Sequence, residues 1–191
     1  MSTLLTVSDL SKTFPGQVAL DRFDIEISTA STHALVGQNG SGKSTFIKIL
    51  AGYHQPDPGA TARLAERPLT LGDGRAASAA GVRFVHQDLG LVESLNTIEN
   101  ISMGVGYTTK WGRINWSSDT ERAHAALDAL GFTDIDVSTP VGALAPAQKT
   151  AIAIARALHG WEEGAHLLVL DEPTASLPEA DVQRLVAAIR R

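Results

Sequence analysis

The stretch ALVGQNGSGKSTFIKILAG, residues 34–52, constrains this chain more than any other. A short apolar run, Ala34–Val36, reads as a strand. It feeds Gly37-Gln38-Asn39-Gly40-Ser41-Gly42-Lys43-Ser44-Thr45, and FIKILAG after it reads as helix. The pattern G-x-x-x-x-G-K-[ST] between strand and helix suits a loop that wraps phosphate groups. Glycines let successive backbone N–H groups turn toward phosphate oxygens, and the helix N-terminus adds partial positive charge. Gly37, Asn39, Gly40, Ser41, Gly42, Lys43, Ser44 and Thr45 are therefore the expected nucleotide-binding residues. Lys43 would reach the β/γ-phosphates, and the Ser44 hydroxyl would ligate Mg²⁺. The competing reading is a glycine-rich turn that binds nothing; the complete pattern in its strand–helix setting weighs against it.

A second feature has the chemistry to complete such a site. LLVLD, Leu167–Asp171, is a continuous apolar run suited to a strand covered on both faces, with Asp171 and Glu172 at its end. Asp171 is expected near the magnesium and Glu172 one residue further on, where it could hold an attacking water. Taken alone, two solvated carboxylates in a turn explain the same residues about as well.

The totals set the frame. With 191 residues, 43% hydrophobic and 19% charged, the chain fits one large domain with a full core. No apolar run is long enough for a membrane span, and MSTLLTVSDL lacks a signal-peptide layout, so the chain is expected to stay in the cytosol. The net charge of −5 argues against a broad nucleic-acid surface. There is no cysteine, hence no disulfide or thiol chemistry, and the 6 histidines show no metal-ligand spacing.

Further strands are expected at Leu4–Val7, Ala19–Ile27 and in VRFVHQ, with a short helix over residues 75–80 stopped by Gly81. Ser118 and Glu121 read as a capping box for a helix with Ala123, Ala126, Leu127 and Leu130 on one face and Gly131 as its stop. A last helical stripe, Val182, Leu185, Val186 and Ile189, runs to Arg191 without a closing signal, as if cut mid-element.

GQNGSGKST, the VHQD around Gln87, AQKTAIAIARAL and LLVLDEPTASL, in this order and spacing, resemble the motif set of the ATP-binding cassette ATPases. IKILAGYHQPDPG and GRINW resemble more particularly the ATPases of bacterial carbohydrate importers that carry two unequal cassettes on one chain, of which this would be the first. The resemblance implies an α/β fold of the P-loop NTPase kind. Its doubly wound sheet would be joined by a small antiparallel β portion and a helical subdomain over about residues 88–160, all within one domain, 1–191, incomplete at its C-terminus.

The same resemblance implies ATP and Mg²⁺ as cofactors and a peripheral position at the cytoplasmic face of the membrane. Its partners would be an integral-membrane permease, a second cassette domain and, indirectly, a solute-binding protein, with no nucleic acid. Phe14 would stack on adenine, although a lone Phe beside a proline is otherwise core or turn packing. Gln87 would contact the magnesium or the attacking water and report to the permease. A switch histidine would lie past Arg191, so the chain as it stands is expected to bind nucleotide but hydrolyse it slowly.

One motif departs from the pattern. Where the family has Leu-Ser-Gly-Gly-Gln, this chain has LAPAQ: Leu144, Ala145, Pro146, Ala147 and Gln148. Ala145 lacks the hydroxyl that would cap the helix and touch the phosphate bound by a facing cassette. Pro146 removes one backbone N–H from the same row. The expected result is asymmetry, with an intact P-loop site of its own and an impaired site completed on the partner. Pro178 stands where the family commonly has aspartate, which puts communication between the sites in question. Two rival functions remain open: an ATP-gated clamp or scaffold without transport, and a regulatory cassette that does not hydrolyse.

Overall fold

The computed structural model describes residues 2–160, 166–173 and 178–189. In chain order these hold β1 (Thr3–Phe14), β2 (Gln17–Ser28), α1 (Lys43–Leu50), β3 (Thr61–Leu64), β4 (Arg67–Pro68), α2 (Gly74–Ala80) and β5 (Val82–Val85). They continue with α3 (Thr97–Val105), β6 (Thr109–Lys110), β7 (Arg113–Ile114), α4 (Trp116–Ala129), α5 (Pro146–Leu158), β8 (Leu167–Leu170) and α6 (Glu179–Ile189). The chain divides into two compact units, Met1–Phe84 with Trp161–Asp171, and Val85–Gly160 with Glu172–Arg191.

The first unit is built on an antiparallel sheet of order β2-β1-β3-β4. Alternation buries Leu5 and Val7 on one side of β1, and a register shift between Val7 and Leu10, with Asp9 at φ 55, brings Leu10 into the same core. The Pro15-Gly16 turn, with Gly16 at φ 80, returns the chain so that Phe14 pairs with Gln17. Helix α1 lays Phe46, Ile47, Ile49 and Leu50 into the core that Leu5, Val7 and Leu64 line. These spacings put the four side chains on one face, and each such burial is worth about 1.5–3 kcal/mol. Helix α2 starts where Asp73 accepts the N–H groups of Arg75 and Ala76, and stops at Gly81 in the left-handed region, φ 99.

Two expectations for this unit need correction. Ala34–Val36 forms no strand: it has no ladder partner among the described residues, and Val36 is 86% exposed. Apolar composition cannot make a strand without a neighbouring edge to satisfy its N–H and C=O groups, and β5 and β8 pair with each other instead. Among the described residues that pair carries the ladder of the expected doubly wound sheet, extended by the Leu167 N–H donating to the Gly81 carbonyl at 3.1 Å. Strand β8 is also not covered on both faces, since only Leu167 is buried and Leu168, Val169 and Leu170 are half-buried.

The second unit is helical. Helices α3 and α4 pack on α5, and α6 packs on α5 as well, with Ile101, Leu127, Val141, Ile152, Ile154 and Leu185 fully buried. Helix α3 opens with a reciprocal capping box: Asn96 accepts the Glu99 N–H while Glu99 accepts the Asn96 N–H. Buried Asn100 then fastens the preceding turn, its amide donating to the carbonyls of Val92, Leu95 and Asn96 and accepting the Val92 N–H. Helix α4 corrects another expectation. Its cap is Asn115, which accepts the Ser118 N–H at 3.4 Å, so the helix begins ahead of the expected Ser118–Glu121 box. Asn115 ends the β6–β7 hairpin and reaches the first turn before Ser118 can, and Ser118 becomes a residue inside that turn.

Candidate functional site

Residues 37–41 form an exposed loop that enters α1 through Gly42. Gly42 stands at the helix N-cap with φ 90, and no side chain caps the helix there. A Cβ at this position would lie 2.6 Å from the Ala19 carbonyl oxygen and 2.6 Å from Leu20 Cδ2, so the backbone needs glycine both for its conformation and for its closeness to β2. The Lys43 ammonium folds back over the loop, donating to the carbonyls of Gly37 at 2.7 Å and Gln38 at 2.9 Å. A cation is thereby held by two loop carbonyls at the positive end of a helix, an arrangement that suits an anion.

Ser44 is exposed and Thr45 half-buried in the first turn of α1, and Asn39 is exposed in the loop. Asp171, half-buried at the end of β8, belongs to the same unit as the loop. No group of three or more His, Cys, Asp or Glu side chains among the described residues could hold a metal ion. The hard oxygen donors of Ser44 and Asp171 fit Mg²⁺, which usually takes only one or two carboxylates and completes its shell with phosphate oxygens and water.

Phe14 ends β1 half-buried, its edge against the His54 ring at 5.3 Å and the Lys12 ammonium 5.2 Å above its centroid. Both contacts come from polar neighbours, not from the aliphatic core.

The other expected residues lie in the second unit. Gln87 is exposed just after β5. The turn that follows it is pinned by Arg156 of α5, whose guanidinium donates to the carbonyls of Leu89 and of Gly90, the latter at 2.8 Å. Burial pushes the Arg156 pKa down from its usual value. Glu172 is exposed and adopts φ 50, an uncommon conformation for a non-glycine residue. The rest of the LLVLDEPTASL motif, residues 174–177, lies outside the described residues, whereas Pro178 carries the carbonyl that accepts the Asp181 and Val182 N–H groups at the start of α6.

LAPAQ opens α5. Ala145 is its N-cap without a side-chain bond, and Pro146 occupies the first helical position. Gln148 supplies half a capping box, its Oε1 accepting the Ala145 N–H at 3.0 Å while its Nε2 donates to Asp134 at 3.4 Å. Asp134 is in turn paired with Arg184 of α6, whose guanidinium lies 4.1 Å over the Phe132 ring. The Arg184 hydrogen bond holds the Asp134 carboxyl below the usual carboxylate range. Sequence reasoning missed Asp134, Arg156 and Arg184. Only Arg156 left a trace there, as a lone cation in the apolar run AIAIARAL.

A mixed α/β chain with a glycine loop closed by Lys43 at a helix N-terminus, and a carboxylate ending a strand of the same unit, defines a P-loop nucleotide-binding domain. The ABC transporter family matches over residues 20–175, and the chain belongs to that family as an ATP-binding cassette domain. It is 39% identical over 194 residues to the "Ribose import ATP-binding protein RbsA 2" of Burkholderia cenocepacia, covering 100% of this chain and 37% of that protein. It is also 39% identical over 182 residues to the "Ribose import ATP-binding protein RbsA" of Roseobacter denitrificans, covering 95% of this chain and 35% of the relative. The chain thus spans little more than a third of these relatives' length. The fold matches the ADP conformation of MJ1267, "an ATP-binding cassette of an ABC transporter", with a TM-score of 0.83 at 22% identity over 100% of this chain and 76% of that one. It also matches cbiO1 from Clostridium perfringens, with a TM-score of 0.76 at 24% identity over 100% of this chain and 74% of that one.

Proposed function

We propose that the chain binds ATP·Mg²⁺ and hydrolyses it to energise solute transport across a membrane, with carbohydrate import as the finer assignment. The carrying observation is the loop from Gly37 to Thr45, with the Lys43 ammonium held by the Gly37 and Gln38 carbonyls over the N-terminus of α1. The phosphates would exchange those two carbonyl contacts for stronger charge-assisted ones, and Gly37, Asn39, Gly40, Ser41, Gly42 and Thr45 would line them. Ser44, Asp171 and Gln87 would hold the magnesium, which neutralises charge developing on the phosphates when bound. Glu172 would orient and deprotonate the attacking water, and Phe14 would stack on adenine with the face that Lys12 does not cover.

The importer assignment rests on relatives named for ribose import. It implies an integral-membrane permease, a second cassette domain and, indirectly, a solute-binding protein, with the chain peripheral at the cytoplasmic face. No helix among the described residues is long and apolar enough to cross a membrane. Calorimetric titration with ATP in magnesium buffer tests the reading. Lys43→Ala should abolish binding, while Glu172→Gln should keep it and lower turnover in the assembled transporter by roughly 10²–10⁴-fold. Binding untouched by Lys43→Ala would place the nucleotide elsewhere. A second reading, a regulatory cassette that does not hydrolyse, is favoured only by the uncapped Ala145, and equally negligible turnover with and without Glu172→Gln would select it.

A further inference from the structure

The β6–β7 hairpin projects from the second unit with Trp111 at its tip, 93% exposed. Two forces oppose tryptophan there. The side chain gains nothing from burial, and Trp111 at φ 56 with Gly112 at φ 75 forms the mirror-image two-residue turn that favours Asn-Gly over a bulky aromatic. Folding therefore does not account for this residue.

Charge points the same way. The chain carries a net −5, yet from Gly104 to Ser118 it has Lys110 and Arg113 and no acid. Both basic residues are exposed and paired across the hairpin, one on either side of Trp111. Asp119, the first acid after this stretch, is buried and ion-paired with Arg122 at 2.9 Å, so it cancels neither charge. The stem is well fixed. Asp119 accepts the Thr108 N–H at 3.1 Å, Arg122 donates to the Gly106 carbonyl at 3.1 Å, and the Tyr107 and Trp116 rings meet edge-on at 5.7 Å.

We propose that this hairpin is a contact site for anionic lipid headgroups, with Trp111 entering the interfacial layer and Lys110 and Arg113 meeting the phosphates. Charge and size both select a lipid surface over a protein. Tryptophan flanked by flexible cations is the side-chain set favoured at membrane interfaces. A turn with two residues per strand offers far less than the roughly 800 Å² per partner that a stable protein interface buries. It is enough for weak adsorption, since each basic residue near an anionic leaflet adds about fivefold to partitioning. The inference goes with the membrane-associated reading above, but nucleotide titration tests that reading and vesicles test this one.

The test is co-sedimentation of the purified chain with phosphatidylcholine vesicles, with and without 30 mol% phosphatidylglycerol, at low and high salt. That fraction gives the vesicles a negative surface potential on the order of that of an anionic leaflet, roughly −30 to −50 mV. Binding should require phosphatidylglycerol and weaken with salt, and Lys110→Ser with Arg113→Ser should reduce it by roughly 25-fold, about fivefold per residue. Trp111→Asn should remove the vesicle-induced blue shift of tryptophan fluorescence while its melting temperature is unchanged or higher, because asparagine relieves the turn. A structural role for Trp111 would lower the melting temperature instead. Equal binding to both vesicle types, or variants that bind as wild type does, overturns the proposal. So does loss of association with detergent-solubilised permease on Trp111→Asn without vesicle binding, which would make the hairpin a protein contact.

Discussion

Two glycines of the same loop separate the backbone's need for glycine from the ligand's. A Cβ on Gly40, at φ 82, would meet nothing within 4 Å, whereas one on Gly42, at φ 90, would lie 2.6 Å from a backbone oxygen. Gly40→Ala should therefore cost only the left-handed strain, about 1–2 kcal/mol. Gly42→Ala should cost about 3 kcal/mol or more, because β2 must yield as well. Urea denaturation of both variants measures the difference, and equal losses would mean that the Ala19 carbonyl gives way without cost. The identity of these residues was legible in the sequence, because a phosphate loop is a local pattern whose spacing carries its chemistry. The contact of Gly42 with Ala19 was not, since it joins residues far apart in sequence. Nor was the positive φ of Glu172, which no local signal announces in a residue with a side chain.

Elements were legible where their boundaries are local. Gly81 ends α2 as its sequence implies, while the Asp73 cap emerged only from the structure, and the apolar stripe of Val182, Leu185, Val186 and Ile189 falls on α6. Ala34–Val36 failed because a strand depends on a neighbour the pattern does not name, and the α4 start failed because Ser118–Glu121 imitates a box that Asn115 pre-empts. For α5 the absent cap at Ala145 was visible in LAPAQ, but its compensation by Gln148 was not. Ala145→Ser should complete the reciprocal box with Gln148 and raise stability by about 1 kcal/mol, measured as a shift in the denaturation midpoint. Changing Ala147 to glycine as well should erase that gain, since Ala147 is buried and glycine inside a helix costs about 1 kcal/mol.

The Gln148 tether also predicts a pH response. Asp134 is depressed below its ordinary 3.8 by Arg184, so its pairing contributes stability that is present above that value and lost as the pH falls through the lower folded-state value. Asp134→Asn should flatten the acid limb of the stability curve below about pH 4 and leave the slope near neutrality unchanged. An unaltered acid limb would mean that the pair is too solvated to matter.

At the scale of the whole molecule, the two units divide the expected machinery. The phosphate loop and Asp171 sit in one, and Gln87, Glu172 and LAPAQ in the other. That division was only half legible: residues 88–160 read as a helical segment, but the return of Glu172–Arg191 to the helical unit depends on Arg184 reaching Asp134 and on Leu185 entering its core, contacts no sequence period reveals. It also sharpens the asymmetry hypothesis. If α5 presents its N-terminus to a triphosphate on a second cassette, Ala145 offers no hydroxyl, and Pro146 no N–H, at the row's first positions. A missing hydrogen bond to a charged phosphate is worth roughly 1.5–3 kcal/mol, or one to two orders of magnitude in affinity. Ala145→Ser alone restores that donor without disturbing Pro146 or buried Ala147, so any kinetic effect is separable from helix stability by comparison with the denaturation midpoint. In the assembled transporter it should lower the ATP concentration for half-maximal turnover by about tenfold or more. An unchanged ATP dependence, with the stability gain present, would show that LAPAQ already supports the composite site through its backbone alone.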